Sequence, residues 1–239
     1  MRIFLRLVGK LIHITLPLLS RVFVQKGVVY MFHSIGDGRD EFNLPVDAFD
    51  SLLQKMSQLK IVVSLSDWEK KDRFICLTFD DVPESFYHNA FPLLKKYQMP
   101  FTIFVSSSLL DADGYITRDM LIEMSECEYC LVASHGRSHS FFVNFSEEEA
   151  LSDLYESKRM LEELIGRTVE LYAFPYGSIY ACGLKQKKLV DKVYKYGFGT
   201  IAMPITHPLL LPSYYLPRIN VDENSVKVIE KTLFAYSKE

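Results

Sequence analysis

Long apolar runs are missing from this chain, and so are internal repeats, low-complexity tracts and anything resembling a linker. Without a linker, 239 residues fold around one sizeable core, a length common among single α/β barrels. Cysteine is scarce: Cys76, Cys127, Cys130 and Cys182 are the full set, and nothing demands an oxidising compartment. Cys76 lies inside an apolar stretch and reads as a small core residue. Cys127 and Cys130 form a C-x-x-C that lacks both the second pair of a zinc site and the small middle residues of a redox turn. An excess of positive charge is also missing. At a net −3 the chain offers no general nucleic-acid surface.

The N-terminal stretch "MRIFLRLVGKLIHITLPLLSRVF" is interrupted by Lys10, His13 and Pro17 and is too short to span a bilayer. No small-residue cleavage site follows Leu19, which argues against a removable signal peptide. Arg2, Arg6 and Lys10 recur at helical spacing, so residues 1–25 read as a basic amphipathic segment. Peripheral contact with a membrane and ordinary packing against the domain both fit it. The expectation is a protein in the cytoplasm or on the inner face of the membrane, with one domain over residues 26–239.

Seven short apolar runs alternate with helical patterns: 28–33, 75–80, 101–107, 131–135, 170–177, 197–203 and 214–221. They are nearly continuous rather than alternating, as strands buried on both faces of a parallel sheet should be. Between them, "PVDAFDSLLQKMSQL" places Phe49, Leu52, Leu53, Met56 and Leu59 on one helical face. A helix opening at Ser146 and Glu149 carries a capping box and stops at Gly166. "KQKKLVDKVYKYG" predicts another helix, stopping at Gly197. The pattern points to a distorted (β/α) barrel with about seven parallel strands. Chemistry in such barrels sits at the C-terminal ends of strands.

Polar residues gather at those ends. "ICLTFDD" closes on the adjacent carboxylates Asp80 and Asp81, "VVYMFH" on His33, and "LVASHGRSH" on His135 and His139. "ELYAFPYG" ends in Pro175, Tyr176 and Gly177, and Arg218 lies in the last run. Two histidines four apart and one aspartate make a 2-His–1-carboxylate set with open positions for water and substrate. The second aspartate is then free to take a proton. Taken singly, an Asp-Asp pair is an ordinary turn and an H-x-x-x-H is frequently accidental; their joint placement at strand ends favours a site.

"LTFDD", "SHGRSH" and "FPYG", in this order and spacing, resemble the polysaccharide deacetylases of carbohydrate esterase family four. "VVYMFHSIGD" and the helix after "FNLPVDAF" are similar to the family's opening, and the resemblance runs from about Val28 to Val221. It implies removal of N-acetyl or O-acetyl groups from a sugar or glycan by a divalent metal, most often zinc, with cobalt, nickel or manganese as other occupants. By position it implies Asp80 as base, Asp81, His135 and His139 as metal ligands, and the Tyr176 backbone N–H as oxyanion donor. The branch that deacetylates β-1,6-linked N-acetylglucosamine polymers takes its general acid from the early strand, which matches His33; His207 is the fallback. Val82 stands where the family usually has glycine, and the arginine that commonly orients the base is absent from "YAFPYG". Arg218 is the candidate replacement, against a purely structural arginine. Phe86, Tyr87, Phe141, Phe142, Tyr176 and Tyr180 are candidates for stacking on sugar rings, or for ordinary packing. A catalytically degenerate glycan-binding module and another metal hydrolase on a similar barrel are the competing readings.

Overall fold

The computed structural model describes residues 24–36, 42–207 and 209–236; residues 1–23 of the segment anticipated as a membrane-surface helix lie outside them. The first strand opens at Val24, two residues ahead of the expected domain boundary. It is one of eight among the described residues: β1 Val24–Phe32, β2 Phe74–Asp80, β3 Phe101–Val105, β4 Cys130–Ser134, β5 Leu171–Ala173, β6 Tyr196–Phe198, β7 Ile205–His207 and β8 Ile219–Asn220. Six α-helices accompany them among the described residues: α1 Val46–Ser57, α2 Phe91–Lys96, α3 Arg118–Glu126, α4 Glu147–Ile165, α5 Ile179–Cys182 and α6 Glu223–Tyr236.

The sheet runs β6-β5-β4-β3-β2-β1-β7, with β8 on β1 as well. All pairings are parallel except that of β7 with β1. The seven anticipated runs are thus the seven parallel strands, and antiparallel β7 is an addition. The segment around β8 bridges the two sides of the sheet. Leu216 exchanges backbone hydrogen bonds with Gly197 and Gly199, while Ile219 and Asn220 pair with Tyr30 and Met31. A barrel distorted at one seam results.

The continuous hydrophobicity of the strands has a direct cause, because both faces are covered. Val29, Cys76, Phe104, Ala133, Ala173, Phe198 and Leu216 pack together inside the barrel. Their neighbours Tyr30, Ile75, Leu77, Phe79, Ile103, Val132 and Tyr172 point outward into the helical layer, where α1 contributes Phe49, Leu52, Leu53 and Met56. Helix α4 is set as expected: Ser146 Oγ accepts from Glu149 N–H, the Glu149 carboxylate accepts from Ser146 N–H, and Gly166 ends the helix at φ 67°.

One helix is corrected. Residues 186–192 form a 3-10 helix, and Gly197 is no helix stop but a residue of β6. A Cβ there would lie 2.4 Å from the Tyr214 carbonyl, so this glycine is needed for close approach of the chain that closes the seam.

Candidate active site

Followed to the C-terminal ends of the strands, the inward register becomes polar. Cys76 leads to Thr78 and Asp80, Ala133 to His135, Met31 to His33, and Leu216 to Arg218 and Asn220. His33, Asp80, Asp81, His135, His139, Tyr176 and Asn220 line one cavity of about 480 Å³, with Phe42 and Thr200 at its walls.

Arg218 is wholly buried and meets Asp80 in a two-pronged ion pair, Nη1 to Oδ1 at 2.6 Å and Nη2 to Oδ2 at 2.7 Å. Its Nε donates to the Gly199 carbonyl at 3.2 Å, and Nη1 also reaches Thr78 Oγ1 at 3.3 Å. The guanidinium lies over the Phe104 ring at 5.1 Å. Burial pushes the Asp80 carboxyl upward, but the charges of Arg218 and His135 outweigh it and hold the group below its ordinary range. The anticipated replacement arginine is therefore seated on the expected base.

Opposite this pair stand Asp81, His135 and His139, whose ligand atoms all lie within 4.8 Å of one another. Asp81 Oδ1 is 2.7 Å from His139 Nε2 and 3.5 Å from His135 Nε2. Neither contact has the alignment of a regular hydrogen bond, and Oδ1 has no other partner among the described residues, as expected of ligand atoms aimed at a common point rather than at each other. His135 Nδ1 lies 2.9 Å from the Ala173 carbonyl. A carbonyl only accepts, so Nδ1 carries the proton and the Nε2 lone pair faces the cavity. Burial lowers the His135 pKa, and the two neighbouring carboxylates only partly oppose it. Burial raises the Asp81 carboxyl, but His139 and His135 overcome this and hold it well below its usual range. The donor set and its orphaned oxygen fit a divalent cation with two imidazoles and one carboxylate.

The backbone around these residues is strained locally. Asp81, Val82, His139 and Tyr176 all have positive φ, at 62°, 49°, 48° and 61°. Val82 adopts the left-handed conformation that glycine would favour, and its fully buried side chain holds it there. The loop thus keeps a glycine-like shape without glycine.

Asp153 on α4 was not singled out from the sequence, yet it shapes the histidine turn. Its carboxylate accepts from Arg137 N–H at 2.9 Å, Ser138 N–H at 3.1 Å and Ser138 Oγ at 2.9 Å. Gly136, at φ 77°, leaves room for it: a Cβ there would sit 2.9 Å from Asp153 Oδ2. Asp153→Ala should lower unfolding stability in urea by about 1.5–3 kcal/mol, the range for hydrogen bonds to a charged group. A loss under about 0.5 kcal/mol, the scatter of inconsequential surface changes, would deny it this role.

Of the remaining candidates, His33 lines the cavity, stacks on Phe42 at 4.9 Å, and has a buried Nδ1 without a partner among the described residues. His207 is exposed and pairs with Val24 at the start of β1. Nine residues separate Val24 from His33, about 30 Å along a strand, so the fallback acid lies at the wrong end of the barrel. Phe86 and Phe142 are core residues and offer no face to a sugar. Phe141 and Tyr176 stack in parallel at 4.0 Å, both largely exposed beside the cavity.

A family model described as polysaccharide deacetylase matches residues 67–197, more than half of the chain. The chain belongs to the polysaccharide deacetylase family. This family member is 26% identical over 180 residues to the poly-β-1,6-N-acetyl-D-glucosamine N-deacetylase of Staphylococcus epidermidis, covering 70% of this chain and 61% of the relative. The Staphylococcus aureus enzyme of that name is matched at 26% over 181 residues, 69% of this chain and 61% of the relative. The family member therefore spans about three fifths of the length of these relatives. Among solved structures, a polysaccharide deacetylase from Bacillus cereus superposes with a TM-score of 0.78 at 20% identity, covering 87% of this chain and 69% of that one. IcaB from Ammonifex degensii gives 0.75 at 21%, covering 87% and 97%. At these identities the two structures confirm the deacetylase barrel as a fold.

Proposed function

We propose that this protein is a metal-dependent hydrolase that removes N-acetyl groups from an N-acetylglucosamine polymer. One observation carries the reading: a buried, arginine-paired aspartate faces a two-histidine, one-aspartate cluster across a single cavity. The relatives matched in sequence are named for that reaction.

In this reading Asp81, His135 and His139 hold the cation, which would supply a Lewis acid for the acetyl carbonyl and make water more acidic. Asp80 takes the proton of the attacking water at Oδ2, the oxygen nearer to His135 at 4.0 Å. Arg218 keeps that carboxylate ionised and fixes its plane. The Tyr176 N–H, which makes no hydrogen bond among the described residues, is the donor to the developing oxyanion. His33 gives a proton to the departing nitrogen. A glycan-binding barrel without turnover would not require the base, its arginine and all three ligand side chains together.

The deciding experiment measures acetate release from N-acetylglucosamine oligomers by chelated protein and by protein resupplied with zinc or cobalt. Release should vanish with chelation and return with metal. No release from a folded, metal-loaded protein would refute the reading. His135→Ala or Asp81→Asn should weaken zinc binding by more than the roughly 10–100-fold seen when a ligand's supporting partner is lost. Isothermal titration reads this directly, and an unchanged affinity would remove either residue from the ligand set. Contact of residues 1–25 with an anionic membrane surface, and with it a place on the inner face of a membrane, belongs to the same proposal. No helix among the described residues is long and apolar enough to cross a membrane. The full chain should partition onto anionic liposomes more strongly than a chain starting at Lys26; equal partitioning would refute it.

A further inference from the structure

Asn220 has no part in the chemistry above. It sits on β8 in register with Met31, two residues beyond Arg218, and its side chain enters the cavity beside His33. Its amide Oδ1 is buried and accepts no hydrogen bond among the described residues. His33 occupies the same wall, because it follows Met31 by two positions. A buried acceptor that faces a ligand cavity is completed by a donor on the ligand.

We propose that Asn220 is the residue through which the pocket selects an acetamido over an acetoxy group: its Oδ1 accepts the N–H of the amide to be cleaved. This rests on the deacetylase reading and deepens it. An acetyl ester presents oxygen at the same place, an acceptor facing an acceptor, and leaves Oδ1 unpaired. The contact also orients the leaving group. When the water oxygen bonds to the acetyl carbon and its proton passes to Asp80, the planar nitrogen becomes pyramidal, with one hydrogen and one lone pair. Held by Asn220 through that hydrogen, the nitrogen has its lone pair free for His33. The C–N bond breaks as the His33 proton moves to nitrogen, giving a free amine and acetic acid. The proton gained by Asp80 equals the one lost by His33. Asn220 thus distinguishes the substrates by a donor that only one of them has.

The test compares the full chain, loaded with zinc, with its Asn220→Ala and Asn220→Asp variants. The substrates are a glucosamine oligomer N-acetylated at the 2-position and a glucose oligomer with acetyl esters at the same position. Asn220→Ala should lower kcat/KM on the amide at least about tenfold more than on the ester. Asn220→Asp keeps an acceptor in place and should retain most of the amide preference. Zinc affinity by calorimetry should stay at the wild-type value in both, since neither variant touches a ligand. Equal losses on the two substrates, no loss on either, or a wild-type protein with no preference for the amide would each overturn the proposal. Wild-type protein inert on both substrates with zinc bound would instead refute the deacetylase reading, and this assignment with it.

Discussion

Asp80→Asn should reduce acetate release by about 10²–10⁴-fold, the range for loss of a general base, while zinc still binds with near wild-type affinity. The reasoning is geometric. Both Asp80 oxygens face Arg218, and the three candidate ligands are other residues. The amide keeps the shape of the carboxylate and one acceptor oxygen, but it cannot take a proton from water. Its neighbour provides the contrast, since Asp81→Asn should lose zinc and activity together. Single-turnover rates on metal-saturated protein separate the two. If Asp80→Asn kept full activity, the division of roles between the adjacent carboxylates would be wrong.

Arg218→Met should have the largest effect on stability, a loss of about 3–5 kcal/mol in urea unfolding at neutral pH. That is the range for breaking a buried ion pair from one side. Methionine fills part of the volume, but Asp80 is left as an uncompensated charge inside the barrel. Arg218→Lys should lie in between, because an ammonium keeps the charge and loses the fork. The pH dependence gives an independent check. In the wild type, the Asp80 pKa is below the ordinary 3.8. Its contribution is therefore complete above about pH 4 and is lost as the pH falls through the depressed value. In Arg218→Met, burial is no longer opposed by the guanidinium and the folded-state pKa rises. Stability should then increase as the pH falls through that raised value, the reverse of the wild-type trend. The acid limb of kcat/KM should move upward in the same variant. A variant with wild-type stability and an unmoved limb would show that Arg218 neither supports the barrel nor tunes the base.

Much of this arrangement is legible in the sequence. The seven apolar runs are the seven parallel strands because burial on both faces forces continuous hydrophobicity, and a strand-end carboxylate or histidine then stands out. Arg218 was readable as a partner for Asp80 because the usual arginine was missing elsewhere. Other features left little trace. Strand β7 is three residues long and too short to show a period, and Gly197 looks like a helix stop until the Tyr214 carbonyl is seen against it. Asp153 acts through backbone N–H groups on a distant loop, a relation that no local pattern records. Asn220 had a faint signal: it shares the parity of Arg218 along the last strand, so one buried inward neighbour implied the other. The aromatic candidates separated only with the fold, since Phe86 and Phe142 are buried while Phe141 and Tyr176 are exposed.

The seam strand has a consequence for how the protein is made. Asp80 and Arg218 are 138 residues apart, so this carboxylate emerges during synthesis long before its counter-charge exists. Until the last part of the chain docks, Asp80 has no reason to be ionised inside an apolar barrel, and the barrel has no closed wall. Such a distant contact belongs to the slow end of folding. Assembly of the cavity is thereby tied to synthesis of its last strand: a product truncated before Arg218 would keep Asp81, His135 and His139 yet lack the arginine that pairs with Asp80.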